Sequence, residues 1–153
     1  MRLLHGTELN IDGERVDRPD EFLAGFDLCV ASVHSLFALP PRDEVTRRLV
    51  RACENPFVNI IGHPTACLIG RRPSLEAGFD EVFRACVRTG TALEINAFPD
   101  RLDLRDEHIL WAKQYGVKFA INSDAHATPH LDVLRFGVAT AQPGWLTADV
   151  INT

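Results

Sequence analysis

The stretch Phe119-Ala120-Ile121-Asn122-Ser123-Asp124-Ala125-His126 decides the fold predicted for this chain, because an apolar run ends abruptly in polar, metal-capable side chains. Such a run is typical of a buried strand, and successive side chains of a strand alternate between its two faces. Asp124 and His126 therefore project to the same side, where a carboxylate and an imidazole can bind one divalent ion or two adjacent ones. Taken alone, an Asp-x-His pair is equally consistent with a helix N-cap beside a solvent-exposed histidine.

Outward from this stretch, short apolar runs alternate with helical patterns along the chain. Strands are predicted at 3–11, 26–34, 58–64, 91–97 and 117–122, and helices at 19–25, 42–53, 75–89 and 105–115. The tail from 133 to 150 contains one more apolar segment, and a short helix is predicted after Thr147. Strands and helices that alternate with short connections favour a parallel sheet covered on both faces. We therefore expect an α/β fold.

The composition limits the class of protein. The 153 residues are 46% hydrophobic and 24% charged, which is typical of a globular domain with a sizeable core. Sixteen basic and twenty-one acidic residues give a net charge of −5, which argues against a broad basic surface for nucleic acid or anionic membrane. A substrate that carries phosphate would therefore need local arginines or bound cations.

The cysteines and the N-terminus indicate the compartment. The four cysteines include no C-x-x-C pair and no dense spacing, which argues against a structural zinc site and a disulfide scaffold. The first residues contain no apolar leader, and no apolar run approaches the length that spans a membrane. We expect a cytoplasmic protein with no membrane partner.

Metal-capable or polar side chains lie at or just beyond the C-terminal end of each predicted strand. They are Glu8, His34, His63, Glu94 with Asn96, and Asp124 with His126. In parallel barrels and open α/β sheets these strand ends share one face, where active sites are built. Imidazoles and carboxylates without thiolates suit zinc, manganese or iron, and clusters of such ions suit the hydrolysis of phosphate esters. Each histidine alone is more simply explained as a structural side chain, but five concordant strand ends favour a shared site.

Five motifs, taken in order, resemble those of the PHP (polymerase and histidinol phosphatase) domain. They are Glu8-Leu9-Asn10-Ile11, Ala31-Ser32-Val33-His34-Ser35, Gly62-His63-Pro64-Thr65, Glu94-Ile95-Asn96-Ala97 with Pro99-Asp100-Arg101-Leu102-Asp103, and Asn122-Ser123-Asp124-Ala125-His126. The resemblance is strongest to the C-terminal PHP domain of bacterial family X DNA polymerases, which Gly70-Arg71-Arg72 and the ending 149–153 also fit. It implies a distorted (β/α)7 barrel, with parallel strands inside and helices outside, and up to three divalent ions, manganese or zinc.

The resemblance also implies an activity and a ligand set. The activity is that of a metal-dependent phosphoric ester hydrolase of the 3′–5′ exonuclease type, which acts on a DNA 3′ end or another phosphate ester and serves DNA repair. Glu8 would be a bridging carboxylate, and His34 and His63 would complete the coordination of one ion. Asp124 and His126 would ligate the other two ions. On this basis Glu8, Asp124 and His126 are the expected catalytic residues.

Two further groups of residues are expected near the site. Glu94 and Asn96 alternate correctly to face the same pocket, but the family's ligand set does not need them, so we expect them to support the ligands by hydrogen bonds. Arg71, Arg72 and Arg101 lie in loops that follow ligand-bearing strands. Near a metal cluster such arginines can bind phosphate through two parallel hydrogen bonds. The competing interpretation of the Arg-Arg pair is a solvated turn.

The sequence departs from the family pattern upstream of Glu8. Family members begin with a His-x-His motif followed by an Asp and another His, and these, with the first two or so strands, have no counterpart here. We therefore expect residues 1–153 to be a partial PHP domain that works with an upstream polymerase and PHP segment in a longer chain. Two other functions stay open. One is a catalytically silent remnant that serves as a structural or interaction module, and the other is a phosphatase of small molecules resembling histidinol phosphatase.

Overall fold

A six-stranded sheet organises the computed structural model, which describes residues 3–13, 15–34, 40–143, 146 and 150. The strands are β1 (Gly6–Asp12), β2 (Arg15–Val16), β3 (Leu28–Ser32), β4 (Ile60–Ile61), β5 (Ala92–Asn96) and β6 (Phe119–Asn122). The helices are α1 (Asp20–Leu23), α2 (Arg42–Glu54), α3 (Phe79–Thr89), α4 (Asp106–Tyr115) and α5 (Leu134–Ala141), and a 3-10 helix (Thr128–Val133) precedes α5. The alternation of strands and helices confirms the predicted α/β class.

The strands lie in the order β2-β1-β3-β4-β5-β6. Neighbours pair in parallel except β2, which is antiparallel to β1. After α5 the chain returns to the far edge of the sheet, where Val150 forms a parallel bridge with Phe119. Within the described residues the sheet has two ends, so its closure into a barrel stays a prediction. The helix predicted after Thr147 falls largely outside the described residues, whereas α5 lies where the sequence indicated only an apolar segment.

The sheet has a helix-covered face and an opposite, partly polar face. Leu9, Ile11, Leu93 and Phe119 are buried on the helix side within one large apolar core. On the opposite face a smaller apolar cluster contains the side chains of Ile60, Ala92 and Ala120, with Leu28 and Val30 packed against it. Because side chains alternate along a strand, Glu94 and Asn96 continue the face of Ala92, and Asn122 continues the face of Ala120. On this face, polar side chains at the C-terminal ends of the strands therefore lie next to the smaller apolar cluster.

The helices bury the faces that the spacing predicts, with two exceptions. Val45, Leu49 and Ala52 of α2 are buried as expected. The spacing of apolar residues in the predicted helices 75–89 and 105–115 also predicts burial of Val87 and Leu110, but these residues of α3 and α4 are 48% and 47% exposed. Each follows a buried residue directly in the sequence, and a step of one residue turns a helical side chain about 100° away from its neighbour. None of the described helices has the length and apolar character needed to cross a bilayer.

Gly62, just after β4, allows β3 and β4 to bring their polar side chains together. A Cβ atom at this position would lie 2.3 Å from the Ser32 Oγ and 2.8 Å from the Val30 Cγ1, far inside van der Waals contact. Only glycine leaves space for Ser32, whose hydroxyl donates a hydrogen bond to Glu8 on β1. The small residue at position 62 is thus a packing requirement of the polar face.

We predict that Gly62→Ala lowers the free energy of unfolding by about 1–3 kcal/mol, because the added methyl group must displace Ser32 and Val30. Gly25→Ala is the matched control, since its Cβ would meet only the Phe22 carbonyl oxygen at 3.4 Å. Chemical denaturation of the three proteins measures the difference. Equal losses of stability in the two variants would contradict the packing argument.

Candidate metal centre

The candidate site centres on Oε1 of Glu8. Glu8 is the third of the seven residues of β1, so it does not lie at the C-terminal end of the strand that the sequence predicted, but its side chain meets the two histidines that follow β3 and β4. The His34 Nε2 lies 3.2 Å from this oxygen and the His63 Nε2 lies 3.4 Å from it. The Ser32 hydroxyl donates a hydrogen bond of 2.7 Å to the same atom. One ligand atom each from Glu8, His34 and His63 lie within 4.8 Å of one another. One carboxylate and two imidazoles form a donor set that suits zinc and other first-row divalent ions.

The electrostatics of this cluster keep Glu8 ionised. Hydrogen bonds from His34 and His63, and a weaker contribution from Ser32, hold the pKa of the Glu8 carboxyl far below its usual range, although burial opposes the shift. The side chains of Glu8 and His34 are each 42% exposed, so solvent reaches them, whereas the His63 side chain is only 2% exposed. The cluster therefore offers an anionic oxygen to an ion that enters from solvent.

His63 is held in an unusual backbone conformation. Its φ of 28° lies on the left-handed side, where residues other than glycine are strained. Its backbone N–H donates a hydrogen bond of 2.6 Å to the Glu94 Oε2. The buried Nδ1 of its ring has no hydrogen-bond partner among the described residues. The ring nitrogen that faces Glu8 is Nε2, so Nε2 is the atom that would bind an ion there.

Glu94 and Asn96 connect His63 to Asp124. The buried Glu94 carboxylate accepts hydrogen bonds from the His63 backbone, from the Asn122 Nδ2 at 2.8 Å and from the Asn96 Nδ2 at 3.2 Å. Burial raises the pKa of Glu94, and these N–H donors oppose that rise. The Asn96 Nδ2 also lies 3.1 Å from the Asp124 Oδ2. This is the geometry expected of residues that support the ligands, and that role stays a prediction.

Asp124 and His126 lie beyond the end of β6, outside the Glu8 cluster. Asp124 has a left-handed φ of 52°, and its carbonyl oxygen lies 2.8 Å from the His126 Nδ1. Because a carbonyl can only accept, Nδ1 carries the proton, and in the neutral ring the lone pair is on Nε2. Asp124 lines a cavity of about 240 Å³ together with Glu8 and His63. His126 is 75% exposed and does not line that cavity.

The three predicted phosphate-binding arginines occupy different environments. The Arg101 Nε lies 3.5 Å from the Asp124 Oδ2, and the Arg101 side chain is only 15% exposed. The Arg72 Nε donates a hydrogen bond of 2.7 Å to the Ala66 carbonyl, and burial, with a smaller contribution from Arg101, lowers its pKa. Arg71 is 74% exposed and lies 3.7 Å from Asp100. Only Arg101 lies directly beside a candidate ligand.

Sequence reasoning assigned no role to three polar residues that shape the site. Ser32 lies two residues before His34 on the same face, so strand alternation could have identified it. Asn122, in the stretch 119–126 that predicted the fold, donates a hydrogen bond from its Nδ2 to the Glu94 carboxylate. Asp103 is fully buried, and its carboxylate accepts the Thr65 backbone N–H at 3.0 and 3.2 Å. Burial raises the pKa of Asp103 to about 6, although the hydrogen bonds from Thr65 oppose the rise.

The chain is similar to a DNA polymerase/3′-5′ exonuclease and to several proteins named probable phosphatases. It is 44% identical over 155 residues to the DNA polymerase/3′-5′ exonuclease PolX of Bacillus subtilis. This alignment covers 99% of this chain and 27% of that protein. It is 33% identical over 167 residues to a probable phosphatase of Thermoanaerobacter sp., which covers 100% of this chain and 64% of the relative. A probable phosphatase of Caldicellulosiruptor bescii is 35% identical over 135 residues, or 82% of this chain and 53% of the relative.

The chain matches only part of the length of each of these relatives. The chain spans about a quarter of the polymerase and less than two thirds of the two phosphatases. No family model matches the chain. The relatives are named as a polymerase/3′-5′ exonuclease and as probable phosphatases, which agrees with the resemblance of the sequence motifs to the PHP domain, and the cluster of Glu8, His34 and His63 is a possible metal site.

We predict that the chain binds one Zn²⁺ or Mn²⁺ ion at Glu8, His34 and His63, and that His34→Ala abolishes this binding, because it removes one of the three ligands that converge there. Isothermal titration calorimetry with each metal measures it. His5→Ala is the control, since the His5 ring packs against Phe26 away from the cluster. Unchanged affinity in His34→Ala would refute the assignment.

A second prediction concerns the pH dependence of stability. The folded pKa of Asp103 is about 6 against an ordinary value of 3.8, so the unfolded chain loses its proton first as the pH rises. The contribution of Asp103 is then fully present below pH 4 and is lost as the pH rises through 6. We expect the stability of the wild type relative to Asp103→Asn to fall by roughly 2 kcal/mol between pH 4 and 7. Urea denaturation at both pH values tests this, and a constant difference would contradict it.

Proposed function

We propose that this chain is a metal-dependent phosphoesterase domain of the PHP type, of the 3′–5′ exonuclease kind found in bacterial family X DNA polymerases. The observation that carries the proposal is the convergence of His34, which follows β3, and His63, which follows β4, on the ionised carboxylate of Glu8 in β1. Homology to a polymerase/exonuclease and to probable phosphatases supports the same type of reaction.

In this proposal Glu8, His34 and His63 hold one divalent ion, manganese or zinc, and Asp124 and His126 provide ligands for others. Bound ions of this kind lower the pKa of a water molecule and neutralise charge on the phosphate. Glu8 stays anionic at neutral pH because the two imidazoles and Ser32 stabilise its charged form. His126 presents its Nε2 because the Asp124 carbonyl holds the proton of Nδ1.

The remaining residues of the site position these ligands and the substrate. Glu94 fixes the backbone of His63, and Asn96 joins Glu94 to the carboxylate of Asp124. Arg101 lies beside Asp124 and is placed to contact a phosphate oxygen there. Arg72 adds positive charge close to Arg101 while its Nε is engaged by a backbone carbonyl. Arg71 is too exposed for a defined contact, so we assign it a weak, long-range role.

The proposed substrate is a DNA 3′ end or another phosphate ester, and the proposed setting is DNA repair in the cytoplasm. With a net charge of −5, the chain would bind phosphate through the metal ions and Arg101 rather than through a broad basic surface. An upstream polymerase and PHP segment is the proposed partner, which would deliver the DNA and complete the metal ligands.

A second candidate function is the hydrolysis of small phosphate monoesters. The net charge of −5 favours it, since a small substrate needs no extended basic surface. The similarity to probable phosphatases, which spans a larger part of those relatives than of the polymerase, also favours it. The relative rates on a phosphate monoester and on a 3′ recessed DNA duplex distinguish the two candidates.

We predict that the 153-residue chain alone hydrolyses bis(p-nitrophenyl) phosphate poorly or not at all with Mn²⁺, because Asp124 and His126 provide only partial ligand sets. Fusion to the residues that precede the matched region in the Bacillus subtilis relative should produce Mn²⁺-dependent hydrolysis. Asp124→Ala in the fusion should abolish it. Initial rates with and without EDTA measure the effect.

Lys118→Ala in the same fusion is the control, since Lys118 is exposed on the strand side away from the C-terminal ends. If the 153-residue chain is fully active by itself and His63→Ala abolishes this activity, the expectation that the chain is a partial domain is wrong. An inactive fusion that still binds metal would favour the catalytically silent module.

A further inference from the structure

Two neighbouring cavities share the side chain of Arg101. The first, of about 190 Å³, contains Arg101 together with the candidate ligands Asp124 and His126. The second, of about 430 Å³, is lined by Ile69, Leu102 and Arg105 as well as by Arg101. Arg101 is mostly enclosed, and its Nε points at the Asp124 carboxylate. Arg101 therefore lines both a proposed metal-binding cavity and a second, larger cavity.

The lining of the larger cavity differs from that of the metal-binding region. Ile69 and Leu102 provide aliphatic surface, Pro143 adds more at its edge, and Arg105 provides a second cation. Ile69 leaves 53% of its surface in solvent, so it has apolar area available for a ligand. Cavities that bind small organic ligands are mostly apolar, have a few placed polar groups and measure about 300–1,000 Å³. Guanidinium groups also stack on aromatic rings.

The two cavities together have the layout of a site for a phosphate ester. A phosphoryl group beside Asp124 and Arg101 would extend its ester substituent past the Arg101 side chain. The larger cavity shares the Arg101 side chain, and its size and apolar lining suit a ring better than a short alkyl group. Two arginines, Arg101 and Arg105, and one carboxylate, Asp106, line the larger cavity, so its net positive lining complements the anionic phosphate.

We propose, resting on the phosphoesterase function above, that the cavity lined by Ile69, Leu102 and Arg105 binds the organic group of the substrate and selects esters that carry an aromatic ring. The ring lies against Ile69 and Leu102 and stacks on a guanidinium group, while the phosphoryl group stays beside Asp124. The cavity determines specificity, and the metal-binding residues determine the reaction.

Non-hydrolysable phosphonates test this without relying on turnover. Phenylphosphonate and methylphosphonate are titrated, with Mn²⁺ present, into the 153-residue chain and into the fusion described above. We expect phenylphosphonate to bind about tenfold more tightly, from the apolar area that the ring buries. Ile69→Ser should reduce that preference several-fold and leave methylphosphonate unchanged. Val87→Ser is the matched control, since Val87 is similarly exposed on α3 and lines neither cavity.

The outcomes separate this inference from the proposed function. Equal binding of the two phosphonates, or a preference for the phenyl compound that Ile69→Ser does not change, overturns the aromatic subsite and leaves the phosphoesterase proposal standing. Failure of both phosphonates to bind to either form of the protein overturns the proposed function and this inference with it. A loss of preference in Val87→Ser equal to that in Ile69→Ser also overturns the subsite.

Discussion

The candidate site depends on the hydrogen bonds that the buried carboxylate of Glu94 accepts. Burying an ionised group costs free energy unless hydrogen bonds compensate, and Glu94 receives them from the His63 backbone, Asn122 and Asn96. These donors come from the loop after β4, from β6 and from β5 itself. Glu94 thereby ties three neighbouring parts of the sheet together and stabilises the strained conformation that aims His63 at Glu8. We therefore expect the candidate ligands to be positioned by a residue that does not itself bind the metal.

The site divides into a compact half and an open half. Around Glu8, the imidazoles of His34 and His63 and the hydroxyl of Ser32 all meet one carboxylate oxygen, so the donor atoms are already assembled. Around Asp124, the carboxylate contacts Asn96 and Arg101, and the other candidate ligand there, His126, is 75% exposed and lies outside the Glu8 cluster. The compact half is suited to hold an ion, and the open half to receive a phosphate.

The sequence was sufficient for the α/β class and for the position of the Glu8 cluster, because both follow from local patterns. Parallel strands place their C-terminal ends on one face, so a shared face for Glu8, His34 and His63 was expected from the strand pattern. Their grouping around one ion was implied by the resemblance to the PHP domain. Features that depend on tertiary packing could not be predicted. Gly137 weakens the helical pattern of α5, but a Cβ there would lie 2.8 Å from the Ala97 Cβ, so close packing on the sheet requires the glycine. Likewise, Arg71 and Arg101 both follow ligand-bearing strands, and only the structure distinguishes the exposed arginine from the enclosed one.

The central claim is that Glu8, His34 and His63 form one metal site. The most direct measurement is the anomalous scattering of zinc in crystals of the protein grown with Zn²⁺, recorded on both sides of the zinc absorption edge. The account predicts an anomalous peak about 2.0–2.2 Å from a Glu8 oxygen and from one ring nitrogen each of His34 and His63. Occupied zinc sites elsewhere on the protein, with the direct contacts of both histidines to the Glu8 carboxylate retained and no peak between them, would contradict it.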